Sequence, residues 1–327
     1  MGETVGAIGE GEILRRILAR LPRSAAPVGP GDDAAVIAAP DGRVVATTDT
    51  LVHGPDFRLA WSSPFELGWK AAAVNLADVA AMGARPTALL VALALPDATP
   101  AAFVDGLADG LAAACAELAP GCAVEGGDLT VSDTLTIAVT ALGSLDGRDP
   151  VRRSGARPGD EVRLIGDLGI AARGLAVLFD RFTGPAGEPL PVTAAALEAL
   201  PPHEAHAVAR QLAPCPPIMA GVTAARAGAT AMMDVSDGLA LDATRLAQAS
   251  GVTVELDSTA LGADAAAALT GGEDHALLVT ARPGAMSLGR RIGVVGERGA
   301  APLTVDGVEY GRRGGWDPYR DWDAGRG

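Results

Sequence analysis

Aspartates recur along the chain at places where an apolar run gives way to a turn or a helix. Asp32 and Asp33 follow a glycine in GPGDDAAVI, and Asp49 ends the run VVATTD. Four more aspartates have glycine, serine or asparagine close by: Asp78, Asp128, Asp234 and Asp237. Carboxylates in this pattern can serve as turn and cap residues, as a general acid and base, or as a cage for cations.

Local structure explains each of these aspartates when it is taken alone. Gly-Asp-Asp and Gly-Gly-Asp are common loops, and Asp237 has the position of a helix N-cap. Together, however, the acidic segments supply more carboxylates than turns and caps require. Oxygen ligands without cysteine or histidine indicate Mg²⁺ or Ca²⁺ rather than zinc. A hydrolase with paired acids would need only two isolated carboxylates, so the pattern favours several cations that cradle a triphosphate.

The usual nucleotide-binding motifs are missing from the sequence. A P-loop requires lysine followed by serine or threonine, whereas Lys70, the only lysine, is followed by Ala71. No GxGxxG segment follows a strand and opens a helix, so a dinucleotide-binding fold has no support. The four histidines do not form a zinc-protease pair.

Arginines, a glutamate and a tryptophan are further candidate ligand contacts. Arg152 and Arg153 lie in a segment rich in glycine and proline, where a guanidinium can reach a phosphate or simply be solvated. Glu273 and Asp274 precede an apolar strand, where turn residues are the simpler interpretation. Trp316 lies in a glycine-rich tail of a chain with 3% aromatic residues. Its ring can stack on a heteroaromatic ligand or serve as a surface anchor.

The helix that positions several of these residues is predicted over 63–83. Ser63 is its N-cap, Pro64 occupies the first helical position, and Glu66 completes a capping box. The spacing places three polar side chains on one face of this helix: Lys70, Asn75 and Asp78.

The other elements favour a layered α+β arrangement, because strands and helices do not alternate regularly. Strands are predicted at 34–39 and 43–48, joined by a turn. The polar segment 146–160 is rich in glycine and proline, so we expect one domain over residues 1–150 and a second over 151–327. A proline-rich connection over 183–218 is expected to contain one short helix.

Composition excludes several classes of function. The formal net charge of −14 over 327 residues repels nucleic acid and anionic membranes. The amino terminus lacks the pattern of a signal peptide, and no apolar stretch is long enough to span a bilayer. Three cysteines without metal-ligand spacing fit a reducing compartment. We therefore expect a soluble cytoplasmic protein.

Taken in order, these segments resemble the thiamine-monophosphate kinases, within the ATP-binding superfamily that also contains aminoimidazole ribonucleotide synthetase. The matching stretches run from about residue 30 to 317: GDDAAVI, TTDTLV, KAAAVNLADVAAMGA, GGD, RSGARPGD, DVSDGL, GGED and GWD. The resemblance implies an N-terminal mixed-sheet α+β domain that forms a barrel with a second subunit, and a C-terminal α/β domain. ATP would bind in the cleft between the two domains.

The resemblance also implies roles for individual residues. Several Mg²⁺ ions would be held by Asp33, Thr47, Thr48, Asp49, Asp78, Asp128, Asp234 and Asp237. ATP would contact Gly127, Asp128, Arg153 and Ser236. Thiamine monophosphate would contact Asp56, Glu273 and Trp316. Asp56 departs from the family, which often carries histidine at that position.

The implied reaction is phosphoryl transfer from ATP to thiamine monophosphate, with thiamine diphosphate and ADP as products. No general base or nucleophile is expected, because the acceptor oxygen is already anionic and direct in-line transfer needs only positioning and charge neutralisation. The alternatives are another ATP-using enzyme of the same superfamily or a non-catalytic protein that binds nucleotides or divalent cations. Selenophosphate synthetases carry a cysteine or selenocysteine in an N-terminal loop, which this sequence lacks.

Overall fold

The first half of the chain is a four-stranded sheet covered by two long helices. A computed structural model describes residues 3–30, 34–312 and 314–316. The elements of this half are α1 (Val5–Ile8), α2 (Glu10–Arg20), β1 (Val45–Val52), α3 (Pro64–Ala81), β2 (Arg85–Leu95), α4 (Ala101–Leu118), β3 (Ala123–Val131) and β4 (Thr136–Ser144). The strand order is β1-β4-β2-β3, with only β2 and β3 parallel.

Helix α3 begins as the sequence predicts. The Ser63 hydroxyl accepts the N–H of Glu66, and the Glu66 carboxylate accepts the N–H of Ser63 at 2.7 Å. Most residues of α3 are buried, because the helix lies between the sheet and α4. Gly68 and Gly110 allow α3 and α4 to cross closely: a Cβ at either position would come within 2.0 Å of a backbone carbonyl oxygen of the other helix.

The second half is built on a seven-stranded sheet. Its elements are β5 (Glu161–Ile165), α5 (Ile170–Arg181), α6 (Ala194–Glu198), α7 (Pro202–Leu212), α8 (Ile218–Arg226), β6 (Ala229–Val235), α9 (Leu239–Ser250), β7 (Thr253–Leu256), α10 (Ala265–Thr270), β8 (Ala276–Ala281), β9 (Arg290–Gly296), β10 (Leu303–Val305) and β11 (Val308–Glu309). The strand order is β11-β10-β7-β9-β5-β8-β6, and all pairs except β7–β10 are antiparallel.

The two halves meet along α3 and the loop that precedes it. Trp61 packs with Leu178, Phe182 and Leu212, and its indole N–H donates to the carbonyl of Phe182 at 2.9 Å. Trp69 on α3 donates to the carbonyl of Pro214 at 2.7 Å. These two tryptophans of the first half therefore fix helices of the second half against α3.

Three expectations from the sequence are wrong. Residues 34–39 do not form a strand, since Val36 makes only an isolated bridge to Val28. Thr47, Thr48 and Asp49 lie in the middle of β1, which continues to Val52. The proline-rich segment 183–218 contains two helices, α6 and α7, instead of one. Proline at the first turn of α7 starts a helix there. In the described part of the chain, no helix has the length and apolar character to cross a bilayer.

Candidate active site

One face of α3 holds β1 in place and contributes a carboxylate beside it. Asn75 accepts the backbone N–H of Asp49 at 3.0 Å and donates its amide to the carbonyl of Ala71 at 2.9 Å. Asp78, one turn further along, accepts the hydroxyl of Thr47 at 2.8 Å. Thr47 and Asp49 alternate with Thr48, so they share the sheet face that α3 covers. This face brings the carboxylates of Asp49 and Asp78 together.

Aspartates from the second half complete an acidic cluster of Asp49, Asp78, Asp234 and Asp237. Burial and the negative charges of Asp234 and Asp49 raise the pKa of Asp78 to about 7. Burial also raises the pKa of Asp49, and the charges of Asp234 and Asp237 add to that effect. Asp234 is buried at the end of β6, whereas the Asp237 side chain is 30% exposed. The folded protein thus disfavours the charged forms of Asp49 and Asp78.

His275 holds the carboxylate of Asp234. Its Nδ1 lies 3.2 Å from Asp234 Oδ2, and the imidazole is 6% exposed. Burial opposes protonation of the ring, but the hydrogen bond and charge of Asp234 outweigh it and raise the pKa of His275. Sequence reasoning missed this residue, because a lone histidine beside a strand gives no sign of a partner 41 positions away.

Asp237 is held by a second pair that the sequence did not reveal. Arg245 Nη1 lies 2.5 Å from Asp237 Oδ2 and 2.8 Å from Asp242 Oδ1. Asp242 is fully buried and accepts the N–H groups of Asp237 and Gly238. Burial and the charge of Asp237 raise the pKa of Asp242 to about 6. The i, i+3 spacing of Asp242 and Arg245 on α9 is the only sequence signal for this pair.

A cavity of about 640 Å³ lies beside the acidic cluster. Residues of both halves line it, including four predicted ligand contacts: Asp56, Ser236, Glu273 and Trp316. The backbone N–H of Trp316 donates to the carbonyl of Asp237 at 3.0 Å, which ties the tryptophan to the cluster. Asp237 is a member of the acidic cluster and also lines the cavity. The cavity therefore opens directly onto the acidic residues.

Aromatic side chains form one wall of this cavity. Trp61 and Phe179 meet edge to face, with ring centroids 5.1 Å apart. The guanidinium of Arg58 lies in the corner between them, 4.3 Å from the Trp61 ring and 4.6 Å from the Phe179 ring. Such a wall suits a flat aromatic ligand.

Lys70 and Glu273 form an ion pair at the cavity wall. Lys70 Nζ lies 2.5 Å from Glu273 Oε2, and the Lys70 side chain is 5% exposed whereas that of Glu273 is 43% exposed. Burial opposes ionisation of Glu273, but the charge of Lys70 outweighs it and lowers the pKa of Glu273. Between the two halves, this is the only ion pair among residues 3–30, 34–312 and 314–316.

The loop that carries Glu273 is held at three successive residues. Glu273 donates its N–H to the carbonyl of Ser236 at 2.8 Å. Asp274 accepts the N–H groups of Ile170 and Ala171 and so caps α5. Glu273 and His275 both have positive φ, at 71° and 52°, a backbone strain that is common at functional sites.

Asp56 lines the cavity near this ion pair. Its carboxylate accepts the N–H of Val52 at 2.7 Å, which closes the turn after β1. Burial and the charge of Glu273 raise the pKa of Asp56, while the charge of Lys70 opposes the rise.

Four predicted ligands do not join the cluster within one chain. Thr48 lies on the opposite face of β1 and donates its hydroxyl to Val139. Gly127 and Asp128 are exposed on β3. Across the sheet, Asp49 on β1 pairs with Val139, which pairs with Val91, which pairs with Gly127 on β3. Asp49 and Gly127 are therefore three strand spacings apart, which is about 14 Å.

Arg153 is exposed, and its carbonyl accepts a hydrogen bond from the hydroxyl of Ser250. Ser250 is the last residue of α9, so the length of this helix separates it from Asp237 by about 18 Å. Asp33 lies outside the described residues. Its place relative to the acidic cluster therefore stays a prediction.

The donor set fits Mg²⁺ in its chemistry. In the described part of the chain, no three carboxylate, imidazole or thiol groups already converge on one metal position. Mg²⁺ does not require this, because it takes one or two carboxylates and completes its shell with water and phosphate oxygens. Burial and, to a smaller extent, neighbouring carboxylates raise the pKa values of Asp49 and Asp78, and a divalent cation would offset both effects.

Comparisons with known proteins show that the chain is similar to thiamine-monophosphate kinases over nearly its full length. Residues 31–145 match the family model described as AIR synthase related protein, N-terminal domain. Thiamine-monophosphate kinase of Mycobacterium tuberculosis H37Rv is 40% identical over 337 residues, covering 98% of this chain and 94% of the relative. The crystal structure of thiamine-monophosphate kinase from Stenotrophomonas maltophilia has a TM-score of 0.74 at 32% identity, covering 91% of this chain and 95% of that one. AaThiL from Aquifex aeolicus, complexed with AMPPCP and TMP, has a TM-score of 0.72 at 32% identity, covering 84% and 86%.

Proposed function

The chain belongs to the thiamine-monophosphate kinase family, and from this premise we propose that it transfers the γ-phosphoryl group of ATP to thiamine monophosphate. The products are ADP and thiamine diphosphate. The observation that carries the proposal is the cavity that opens onto the acidic cluster, lined by Asp56, Glu273 and Trp316. A relative of the same fold is complexed with AMPPCP and TMP.

Asp49, Asp78, Asp234 and Asp237 are the residues that would hold Mg²⁺ in the described chain. When bound, the ions neutralise the charge on the phosphates during transfer. The role of the protein is to orient these carboxylates. Asn75 holds the backbone of Asp49 on β1, while His275 contacts Asp234 and Arg245 contacts Asp237. A chain with a net charge of −14 needs such cations in order to bind two phosphorylated substrates.

We infer a direct in-line transfer without a protein nucleophile. The acceptor is a phosphate oxygen that is already ionised at neutral pH, so no base has to remove a proton from it. The residues at the junction of cavity and cluster, Ser236 and Asp237, would place the acceptor beside the γ-phosphate. Trp316 would stack on a ring of the vitamin at the cavity mouth.

A homodimer is part of this proposal. Asp128 lies about 14 Å from Asp49 across the sheet, and Arg153 lies at the end of α9 opposite Asp237, so neither joins the acidic cluster within one chain. In addition, β1 and β3 are edge strands of the first sheet, and Val131 at the end of β3 is 74% exposed. The unpaired N–H and C=O groups of such edges can pair with a strand of another chain. A second copy that pairs with these edges would bring its own GGD segment to the site.

We also propose a cytoplasmic location. Cys115 and Cys122 are buried as free thiols, and Cys215 is exposed as a free thiol. Free thiols of this kind are typical of a reducing compartment.

The direct test is a product assay. The purified full-length protein is incubated with ATP, Mg²⁺ and thiamine monophosphate, and thiamine diphosphate and ADP are quantified by chromatography. We expect the two products in equal amounts, with no reaction when Mg²⁺ is chelated. If ATP binds but no thiamine diphosphate forms at any Mg²⁺ concentration, the kinase function is excluded and a nucleotide-binding role replaces it.

A further inference from the structure

Asp237 has a permanently charged partner, which Asp49 and Asp78 lack within the described residues. Arg245 Nη1 lies 2.5 Å from Asp237 Oδ2. Asp49 and Asp78 have hydrogen-bond partners but form no ion pair in the described part of the chain. Because arginine keeps its proton at neutral pH, the negative charge of Asp237 is already partly offset before any metal ion binds.

The contact between Arg245 and Asp237 uses only part of the guanidinium. The same nitrogen, Nη1, also lies 2.8 Å from Oδ1 of Asp242. A guanidinium has five N–H donors, and Nη1 carries two of them. Neither Nε nor Nη2 has a hydrogen bond to a described residue, and the side chain is 40% exposed. A pair made through one nitrogen is weaker than a bidentate pair, and partial exposure weakens it further.

Asp242 is the fixed point of this arrangement. Its side chain is fully buried, and its other oxygen accepts the N–H groups of Asp237 at 3.1 Å and Gly238 at 3.3 Å. Asp242 is therefore tied to the turn that precedes α9. The side chain of Asp237, by contrast, is 30% exposed and lines the cavity. Arg245 can therefore leave Asp237 while it keeps one N–H on Asp242.

The guanidinium and a metal ion compete for the carboxylate of Asp237. Mg²⁺ binds oxygen at about 2.0–2.1 Å, and Arg245 Nη1 already lies 2.5 Å from Oδ2. Two cations so close to one oxygen repel each other strongly. A phosphate chain at the acidic cluster would offer the guanidinium another acceptor, because the donors of arginine match phosphate oxygens. Nucleotide would then free Asp237 for its ion.

We propose that Arg245 is an internal counter-ion that occupies Asp237 until nucleotide binds, so that Asp237 admits a divalent cation only together with the phosphates. This inference rests on the proposed function, because it concerns the cations of the same reaction. On nucleotide binding, the guanidinium turns from Asp237 to a phosphate oxygen and keeps its contact with Asp242. Asp49 and Asp78, which have no such partner, bind an ion without nucleotide.

The experiment measures metal binding without nucleotide, with Mn²⁺ as the probe because electron paramagnetic resonance reports the free ion. Arg245→Gln removes the charge and keeps an N–H donor for Asp242. We expect this full-length variant to bind Mn²⁺ at one site at least about tenfold more tightly than the wild type does. If Arg245 served only to orient Asp237, its loss would weaken Mn²⁺ binding. The sign of the change therefore separates the two roles.

Four further variants locate the effect. Arg245→Lys keeps the charge and should stay within about threefold of the wild-type affinity for Mn²⁺. Asp237→Asn combined with Arg245→Gln should lose the gain, because the freed carboxylate is then absent. Asp242→Asn combined with Arg245→Gln removes the buried charge that Arg245→Gln leaves without its partner. This double variant should show the same gain, and it carries the test if the single variant does not fold.

Arg15→Gln is the matched control. Arg15 pairs with Glu12 on α2 at 2.5 Å with the same i, i+3 spacing that joins Asp242 to Arg245, and it does not line the cavity. The variant changes the net charge of the protein by the same amount. Its affinity for Mn²⁺ should stay within about twofold of the wild-type value, since the exposed pair is far weaker than a contact on a metal ligand.

Nucleotide binding gives a second measurement. Calorimetric titration with AMPPCP at saturating Mn²⁺ should show at least about tenfold weaker binding to Arg245→Gln, because a charge-assisted hydrogen bond to phosphate is lost. The KM for thiamine monophosphate should stay within about twofold of the wild-type value. Stronger metal binding alone and weaker nucleotide binding together are a pattern that a general loss of structure does not produce.

Unchanged or weaker Mn²⁺ binding in the folded variants without Arg245 would overturn the inference, as would an equal gain in Arg15→Gln. Unchanged AMPPCP binding in Arg245→Gln would also overturn it, because the guanidinium would then not move to the phosphates. These titrations contain no acceptor and involve no turnover, so none of these results bears on product formation. A wild-type protein that forms no thiamine diphosphate would instead exclude the proposed function.

Discussion

Asp49 is a residue whose side chain contributes a negative charge to the acidic cluster and does not pack in the core. Its backbone N–H is held by Asn75, while its carboxylate lies beside Asp78 at the surface of the cleft. Because burial and neighbouring charges raise the pKa of both groups, the folded protein gains no stability from the Asp49 charge itself. The side chain is therefore expected to matter for function more than for folding.

We predict that Asp49→Asn lowers kcat by at least about 100-fold, because it removes charge where the nucleotide's cations would bind. The melting temperature without metal should stay the same or rise slightly, since one repulsive carboxylate is lost. Steady-state kinetics and a thermal melt check both parts. Asp149→Asn, at a fully exposed carboxylate, is the control and should change neither. A large drop in melting temperature would show instead that Asp49 is structural.

Among the elements, α3 is the one the sequence predicts best. The capping box, the proline at its first position and the polar face of Lys70, Asn75 and Asp78 are all local signals, and the structure has each of them. The expected strand at 34–39 fails, because an apolar run alone does not provide a partner strand. His275 could not be found, since its partner Asp234 lies 41 positions away and meets it only in the folded sheet. For Arg245, the i, i+3 spacing from Asp242 is common on helix surfaces and does not reveal the contact with Asp237.

Helix α2 is fixed to α4 by an ion pair, which allows a test at the scale of elements. Arg16 Nε donates to Asp105 Oδ1 at 3.1 Å, and Asp105 is 7% exposed. The hydrogen bond from Arg16 lowers the pKa of Asp105, although partial burial opposes it. A lowered pKa stabilises the fold above the carboxyl's ordinary range, and that contribution is lost as the pH falls through the pKa of the folded state.

Asp105→Asn should therefore reduce the free energy of unfolding by about 1–2 kcal/mol at pH 7, and the difference should shrink as the pH falls below about 4. Urea unfolding at a series of pH values measures it. Asp109→Asn is a matched control on the same helix, because Asp109 meets Arg20 at 3.4 Å but is 50% exposed. Its cost should stay below about 0.5 kcal/mol. A penalty for Asp105→Asn that is independent of pH would contradict this account.

At the scale of the whole molecule, the site belongs to no single half. Asp49 and Asp78 come from the first sheet and its helix, whereas Asp234 and Asp237 come from the second. The sequence predicts both groups of residues, but not that Asp128 and Arg153 lie far from them in one chain. That distance depends on strand order, which no local pattern specifies.

The proposed dimer predicts complementation between two inactive variants. Asp128→Asn and Asp234→Asn should each abolish turnover, and mixing them after unfolding and refolding together should restore about a quarter of the wild-type activity. In a mixed dimer, one site then has Asp234 from one chain and Asp128 from the other. Light scattering on the same samples reports the assembly state. If the mixture stays inactive although mixed dimers form, Asp128 acts within its own chain.

Gly68 and Gly110 touch no predicted ligand, yet the crossing they permit sets where α3 lies. Lys70 follows Gly68 by two residues, and Asp78 lies on the same rigid helix. A side chain at either glycine would push the two helices apart, and Lys70 at the cavity wall and Asp78 in the acidic cluster would move with α3. A genetic screen that scores only activity would therefore rank these glycines with the aspartates proposed to hold Mg²⁺. The two glycines therefore fix the spacing between the cavity and the acidic cluster without contributing a side chain to either.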